Sequence, residues 1–212
     1  MLEEFNKEVL AYCEHHTVRK NLILERIEQS TIENSNASGM MSGGYQGRLL
    51  SLISKMIAPE YVLEIGTFTG YAALCMAEGL KPGGKVITLE RDRKLEPLIE
   101  KHLSWSPHGN SIEVVYGDAS ELIPTLDHTF DMVFIDAAKK QYANYYDLVF
   151  DKINPGGIIL SDNVLWRGKV VDKNQDDKTA IIDQYNKKIY NDTRVEPFLL
   201  PIRDGIMLAR KL

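Results

Sequence analysis

The segment VLEIGTFTGYAAL, Val62 to Leu74, decides the fold. A short run of apolar residues stops at Gly66, a second glycine follows at Gly70, and Tyr71-Ala72-Ala73-Leu74 then continues as a helix former. A strand-length run closed by a glycine turn that opens into a helix is the start of a βα unit. The pattern repeats outward. YVLEIG (61–66), KVITLE (85–90), SIEVVYG (111–117), FDMVFID (130–136) and GGIILSD (156–162) have strand length, and helix-patterned stretches cover 70–80, 92–104, 119–126, 140–152 and 176–191. Such alternation implies an α/β fold with a mostly parallel sheet and helices on both faces. The final VEPFLLPIRDGIMLARKL (195–212) predicts two short strands in a hairpin around Arg203-Asp204-Gly205, closing the sheet edge. Ahead of the first strand, helices are expected at 3–16, 18–30 and 46–57. Between the last two, the polar loop ENSNASGMMSGGYQG (33–47) has the composition of a mobile connection. With no repeat or linker in view, residues 1–212 read as one domain, with N-terminal helices and loop over 1–57 and an α/β core over 58–212.

Composition narrows the class. At 212 residues and 44% hydrophobic, the chain supports one well-buried core. A net charge of −5 and a pI near 5.6 argue against a general nucleic-acid binder. Cys13 and Cys75 lie far apart without CxxC spacing, as expected of unpaired thiols in a reducing compartment. The acidic start MLEEFNKEVLAYCEHH has no apolar leader core, and no apolar run approaches the roughly 20 residues of a membrane span. The expected setting is cytoplasmic, with neither membrane nor DNA as a partner.

The glycine turn carries chemistry as well as fold. In doubly wound sheets ligands bind beyond the carboxyl ends of the strands, where glycines let the backbone approach them. A dinucleotide fingerprint is GxGxxG, whereas this turn is ExGxxxG, with Glu64 before it and no third glycine for a pyrophosphate. A nicotinamide dehydrogenase is therefore disfavoured. Glu90 ends the next strand, where a carboxylate can accept from both hydroxyls of a ribose, and Asp118 and Asp136 follow at later strand ends. A phosphate-free adenosyl cofactor with an amino-acid tail, S-adenosylmethionine, fits this pattern. Taken singly, each strand-end acid is also an ordinary cap or turn former; the joint pattern is what points to a ligand.

EIGTFTGYAAL, GDA, FIDAAKKQYANYY, GGIILSDNVLWRGKV and LLPIRDGIMLARK, in that order, resemble the cation-dependent O-methyltransferases of the caffeoyl-CoA and catechol type, over about Met41 to Leu212. The resemblance implies a Rossmann-like class I methyltransferase, seven-stranded with an antiparallel last strand, and usually a homodimer. It assigns Met41 and Ser42 to a loop covering the cofactor, and Glu64, Gly66 and Thr67 to the first turn. Glu90 matches the ribose carboxylate, Asp118 and Ala119 the adenine contacts, and Tyr145 a tyrosine near cofactor or substrate. Asp136, Asp162 and Asn163 match the protein ligands of a divalent metal, with Asp136 also beside the cofactor, and Lys139 matches the catalytic lysine, with Asp136 counted beside it as catalytic. The chain departs at Ala72, a cofactor-side position where many members have serine; at Ala138, where plant members have a second aspartate; and at Arg203, where many have glycine.

The implied metal set makes chemical sense. Two carboxylates and an amide are hard oxygen donors that suit Mg²⁺, with Mn²⁺ or Ca²⁺ able to replace it, and the absence of histidine and cysteine disfavours zinc. A dication beside Lys139 disfavours its ammonium form and makes it a candidate general base. Lys140 is expected to be a solvated charge, and His15 and His16 surface residues. Trp166 and the MMSGGYQG loop are candidates for excluding water. Three functions remain open: methylation of a small catechol-like aromatic, methylation of 5-hydroxyuridine in tRNA, or a non-catalytic cofactor-binding module. For tRNA, Arg48, Lys140, Arg167 and Lys169 are the basic residues expected near the mouth, as phosphate contacts.

Overall fold

The computed structural model describes residues 7–17 and 21–212. Seven strands form one sheet: β1 (Tyr61–Ile65), β2 (Lys85–Glu90), β3 (Ile112–Tyr116), β4 (Phe130–Ile135), β5 (Ile153–Asp162), β6 (Val195–Leu200) and β7 (Ile206–Lys211). Their order is β3-β2-β1-β4-β5-β7-β6. The pairs among β1 to β5 are parallel, whereas β7 runs antiparallel to both β5 and β6. The sequence-predicted hairpin therefore forms, but its second strand enters the sheet beside β5 and leaves β6 at the edge. Pro197 in that edge strand leaves one position without an N–H to offer to a further strand.

The helices are α1 (Lys7–His15), α2 (Leu22–Asn34), α3 (Gly43–Ile57), α4 (Tyr71–Ala77), α5 (Glu96–Ser104), α6 (Ala119–Leu122), α7 (Tyr142–Phe150) and α8 (Asp177–Asn191). Residues 3–6 and 18–20 of the two expected N-terminal helices lie outside the described residues. Alternation along the strands splits the core between the two faces of the sheet. Val62, Met132 and Phe134 pack with α2, α3 and α4, while Leu63, Val133 and Ile135 pack with α6, α7 and α8. Every residue of α4 is buried, which is why YAALCMA is apolar all round instead of amphipathic.

The stretch 33–47 is more ordered than its composition suggests. α2 extends to Asn34, a 3-10 turn covers Ser38–Met40, and α3 begins at Gly43. One of its glycines serves packing: a Cβ on Gly47 would lie 2.6 Å from a Tyr71 ring carbon and 2.8 Å from Cys75 Sγ, so only glycine lets α3 sit this close to α4. Cys13 and Cys75 are free thiols. Among the described residues, no helix is long and apolar enough to cross a membrane.

Candidate active site

The chain leaves β1 toward β2 and β3, then returns across β1 to place β4 on its other side. That reversal opens a crevice at the strand carboxyl ends. At its floor, Asp136 N–H donates to the Ile65 carbonyl at 3.0 Å. Gly66, at φ +105, packs so tightly on Asp136 that a Cβ there would meet its carbonyl oxygen at 2.1 Å. Only glycine satisfies both the backbone angle and the contact. Above lies a cavity of about 530 Å³.

Sequence-predicted residues from six chain segments meet on its wall: Met41 and Ser42, Gly66 with Thr67 and Ala72, Glu90, Asp118 and Ala119, Asp136 with Lys139 and Tyr145, and Asp162 with Asn163. Glu90 is nearly buried, and each of its oxygens accepts one backbone N–H at 2.8 Å, from Phe68 and from Asp92. That carboxylate is fixed in position with lone pairs to spare. Asp118 caps α6 through a 2.8 Å bond from Ser120 N–H. Burial, then the nearby Asp118 carboxylate, raises the Tyr145 phenol and keeps it neutral.

Glu64 stands behind this wall. It is fully buried, one oxygen accepts from the Thr88 hydroxyl, which pairs with Thr67 Oγ1 at 2.6 Å, and the other oxygen has no partner. Burial, reinforced by repulsion from Asp136 and Glu90 and opposed by the Thr88 bond, pushes its acid up to about 8.

Asp136 and Asp162 face each other because β4 and β5 pair in parallel with Ile135 opposite Ser161. Lys139 Nζ donates to Asp136 Oδ1 at 2.8 Å and to the Tyr142 hydroxyl at 2.5 Å. That hydroxyl lies 3.1 Å from the Ile135 carbonyl and 3.0 Å from the Asp162 carbonyl, tying together the two strand ends. Burial and the two carboxylates hold the Tyr142 phenol far above its ordinary range. Asp162 is 3% exposed; Oδ1 accepts from Asn163 N–H at 2.8 Å and Oδ2 from Gln46 Nε2 at 2.9 Å. Burial and repulsion from Asp136 raise its acid. Two converging carboxylates with a neighbouring amide are a donor set that a hard divalent cation fits, since it would relieve that repulsion. Among the described residues no group of three or more His, Cys, Asp or Glu side chains is placed to hold a metal ion, so the donor set here consists of two carboxylates and the Asn163 amide.

Tyr142 and Gln46 escaped the sequence reading. For Tyr142 a signal exists, the spacing Asp136, Lys139, Tyr142 on a single turn entering α7; for Gln46 none does, because its partner is 116 residues away. Arg48 is a correction. Expected near the mouth, it is buried on α3, where its guanidinium grips Glu78 at 2.7 and 3.0 Å. A buried arginine already paired with a carboxylate offers nothing to a phosphate. Lys140 is exposed, as are Arg167 and Lys169, the latter 3.6 Å from Asp176. Of the six non-glycine residues at positive φ among those described, Phe68, Asn163, Trp166, Arg167 and Arg203 line the cavity. Backbone conformations of this kind cost free energy and gather where a site dictates them.

A family model described as O-methyltransferase matches residues 14–212. A caffeoyl-CoA O-methyltransferase of Petroselinum crispum is 32% identical over 193 residues, covering 82% of this chain and 77% of that protein. Catechol O-methyltransferase domain-containing protein 1 of Mus musculus is 31% identical, covering 95% of this chain and 79% of that protein. Among solved structures, the SAH-bound methyltransferase PaMTH1 of Podospora anserina superposes with a TM-score of 0.90 at 28% identity, covering 100% of this chain and 97% of that one. The O-methyltransferase TomG of Streptomyces achromogenes, in complex with SAM, gives 0.88 at 26% identity, with 100% and 99% covered. Fold, crevice and matches agree, and the chain belongs to the O-methyltransferase family.

Proposed function

We propose that this enzyme moves the methyl group of S-adenosylmethionine to one hydroxyl of a small catechol-like acceptor with two adjacent oxygens, in a reaction that depends on a divalent cation. The observation that carries the reading is the convergence of Asp136, Asp162 and Lys139 at one side of the Gly66 turn, with the braced Glu90 on the other. In this reading Met41, Ser42, Gly66, Thr67, Ala72, Glu90, Asp118, Ala119, Asp136 and Tyr145 hold the cofactor, with Glu64 supporting them through Thr88 and Thr67. Asp136, Asp162 and Asn163 hold Mg²⁺, or Mn²⁺ or Ca²⁺ in its place. When bound, the cation supplies Lewis-acid stabilisation of negative charge on oxygen. The names of two relatives, caffeoyl-CoA O-methyltransferase and catechol O-methyltransferase domain-containing protein 1, support an acceptor of this kind. The single sheet spanning 61–211 supports taking the chain as one catalytic domain.

Lys139 takes the proton of the acceptor hydroxyl onto Nζ, and Asp136 Oδ1 and the Tyr142 hydroxyl aim that amine. Neutral Tyr142 accepts from Lys139 without competing for the proton. Methyl transfer asks the protein mainly for alignment and exclusion of water. Met41 and Trp166 on the cavity wall serve that exclusion.

The test is SAH release with Mg²⁺ or with chelator, on a panel of dihydroxyphenyl compounds and on hydroxyuridine-containing tRNA at matched concentration. Cation-dependent turnover of the phenols, lost in Asp162→Ala while SAH binding persists, is expected. Full turnover under chelator refutes the cation requirement, and turnover confined to tRNA refutes the acceptor class.

A further inference from the structure

Gln46 is wholly buried in the first turns of α3, and both ends of its amide are engaged. Its Nε2 donates to Asp162 Oδ2 at 2.9 Å, and its Oε1 accepts from Arg203 Nη1 at 3.1 Å. The same Nη1 donates to the Ser42 carbonyl. Asparagine and glutamine amides have two orientations that shape alone barely distinguishes, but a guanidinium has only donors. Arg203 therefore forces Oε1 toward itself and the NH₂ toward Asp162. Asp162 in turn holds one N–H on each oxygen, from Asn163 and from Gln46, so its carboxylate plane is fixed while a lone pair stays free on each side. Arg203 does this from the β6–β7 turn at φ +50, a backbone angle better suited to glycine.

We propose that Gln46 is a positioning residue for the cation site and that Arg203 acts through it, in the series Arg203 to Gln46 to Asp162. This rests on the reading of Asp136, Asp162 and Asn163 as cation ligands. The series joins three distant parts of the chain: the turn before β7, the helix that follows the Met41-Ser42 segment, and the end of β5. Hydrogen-bond partners that orient metal ligands typically matter about 10–100-fold in metal affinity.

The experiment measures Mn²⁺ affinity of the full chain, by paramagnetic resonance of the free ion, and SAH affinity alongside. The proteins are wild type, Asp162→Ala, Gln46→Met, Arg203→Gly and the Gln46→Met/Arg203→Gly double variant. Methionine keeps the length of Gln46 without the amide, and glycine at 203 relieves the backbone angle, so Arg203→Gly stays folded. Expected is a loss of Mn²⁺ affinity of about 10–100-fold in Gln46→Met with SAH affinity near wild type. Arg203→Gly should weaken Mn²⁺ in the wild-type background and add nothing in the Gln46→Met background. Additive losses overturn the series, as do parallel losses of Mn²⁺ and SAH affinity, which a purely structural role would give. If Asp162→Ala loses Mn²⁺ but Gln46→Met retains it, the ligands stand and this inference falls alone. If wild type fails to bind Mn²⁺, or Asp162→Ala binds it equally well, the ligand assignment falls and takes the inference with it.

Discussion

Replacing Glu64 with glutamine should flatten the pH dependence of stability. Glu64 is fully buried with one oxygen unpaired, and its acid is pushed from 4.5 up to about 8, chiefly by burial. In the unfolded chain the same carboxyl ionises near its ordinary value. Below pH 4.5 both states hold the proton and the group contributes no difference. Between 4.5 and 8 the folded state keeps a proton that the unfolded state has released, so stability falls as pH rises, by about 1.4 kcal/mol per pH unit. Across the whole window this approaches about 5 kcal/mol. In a chain of this size 1 kcal/mol moves Tm by roughly 2–4 °C, so Glu64 accounts for a decline of roughly 10 °C or more toward pH 8.5. Thermal unfolding of wild type and Glu64→Gln across pH 5–8.5 reads this directly. Other titrating groups are common to both proteins, so the difference between the two curves isolates position 64. The amide cannot ionise, and the variant should gain on wild type steadily as pH rises. Parallel curves would show that Glu64 ionises like a solvated carboxyl and would refute the account of its burial.

Lys139→Met should slow methyl transfer by about 10²–10⁴-fold, the usual contribution of a positioned general base, with SAH affinity little changed; an unchanged single-turnover rate removes Lys139 from proton transfer. Glu90→Ala removes a carboxylate braced by Phe68 and Asp92 N–H and should weaken SAH binding by about 10-fold or more, read by calorimetry, since hydrogen bonds to charged groups contribute about 1.5–3 kcal/mol each. Arg48→Met breaks the pair with Glu78, whose carboxyl burial would raise but donors from Arg48, Lys55 and Ser51 hold down to about 2. The expected loss is about 3–5 kcal/mol in denaturant titration at pH 7. Because the folded value of Glu78 is depressed, its contribution is present above pH 4.5 and fades as pH falls toward 2, so the difference between the two proteins shrinks in acid.

Much of this chain was legible from its letters. Strand-length apolar runs, each ending in an acid or a glycine, marked the strand ends, because period and run length are local properties. The ExGxxxG turn separated this crevice from a dinucleotide site for the same reason: a phosphate needs backbone room that a missing glycine denies. Even the closeness of Asp136 and Asp162 was implied before the structure, because the family resemblance matches both to the ligands of one cation. What sequence could not settle depends on partners far along the chain. Arg48 looked like any surface cation until α3 settled on α4 and turned it toward Glu78. The loop at 33–47 looked mobile because serine, asparagine and glycine lower local propensity, yet packing of Gly47 against Tyr71 and Cys75 outweighs propensity. The last strand's place beside β5, Glu64 behind the cavity wall and not on it, and the bond from Gln46 to Asp162 all came from tertiary structure. Strand identity is written within a few residues, but which side chains meet is fixed only when buried surfaces and hydrogen-bond donors from remote segments must be satisfied together.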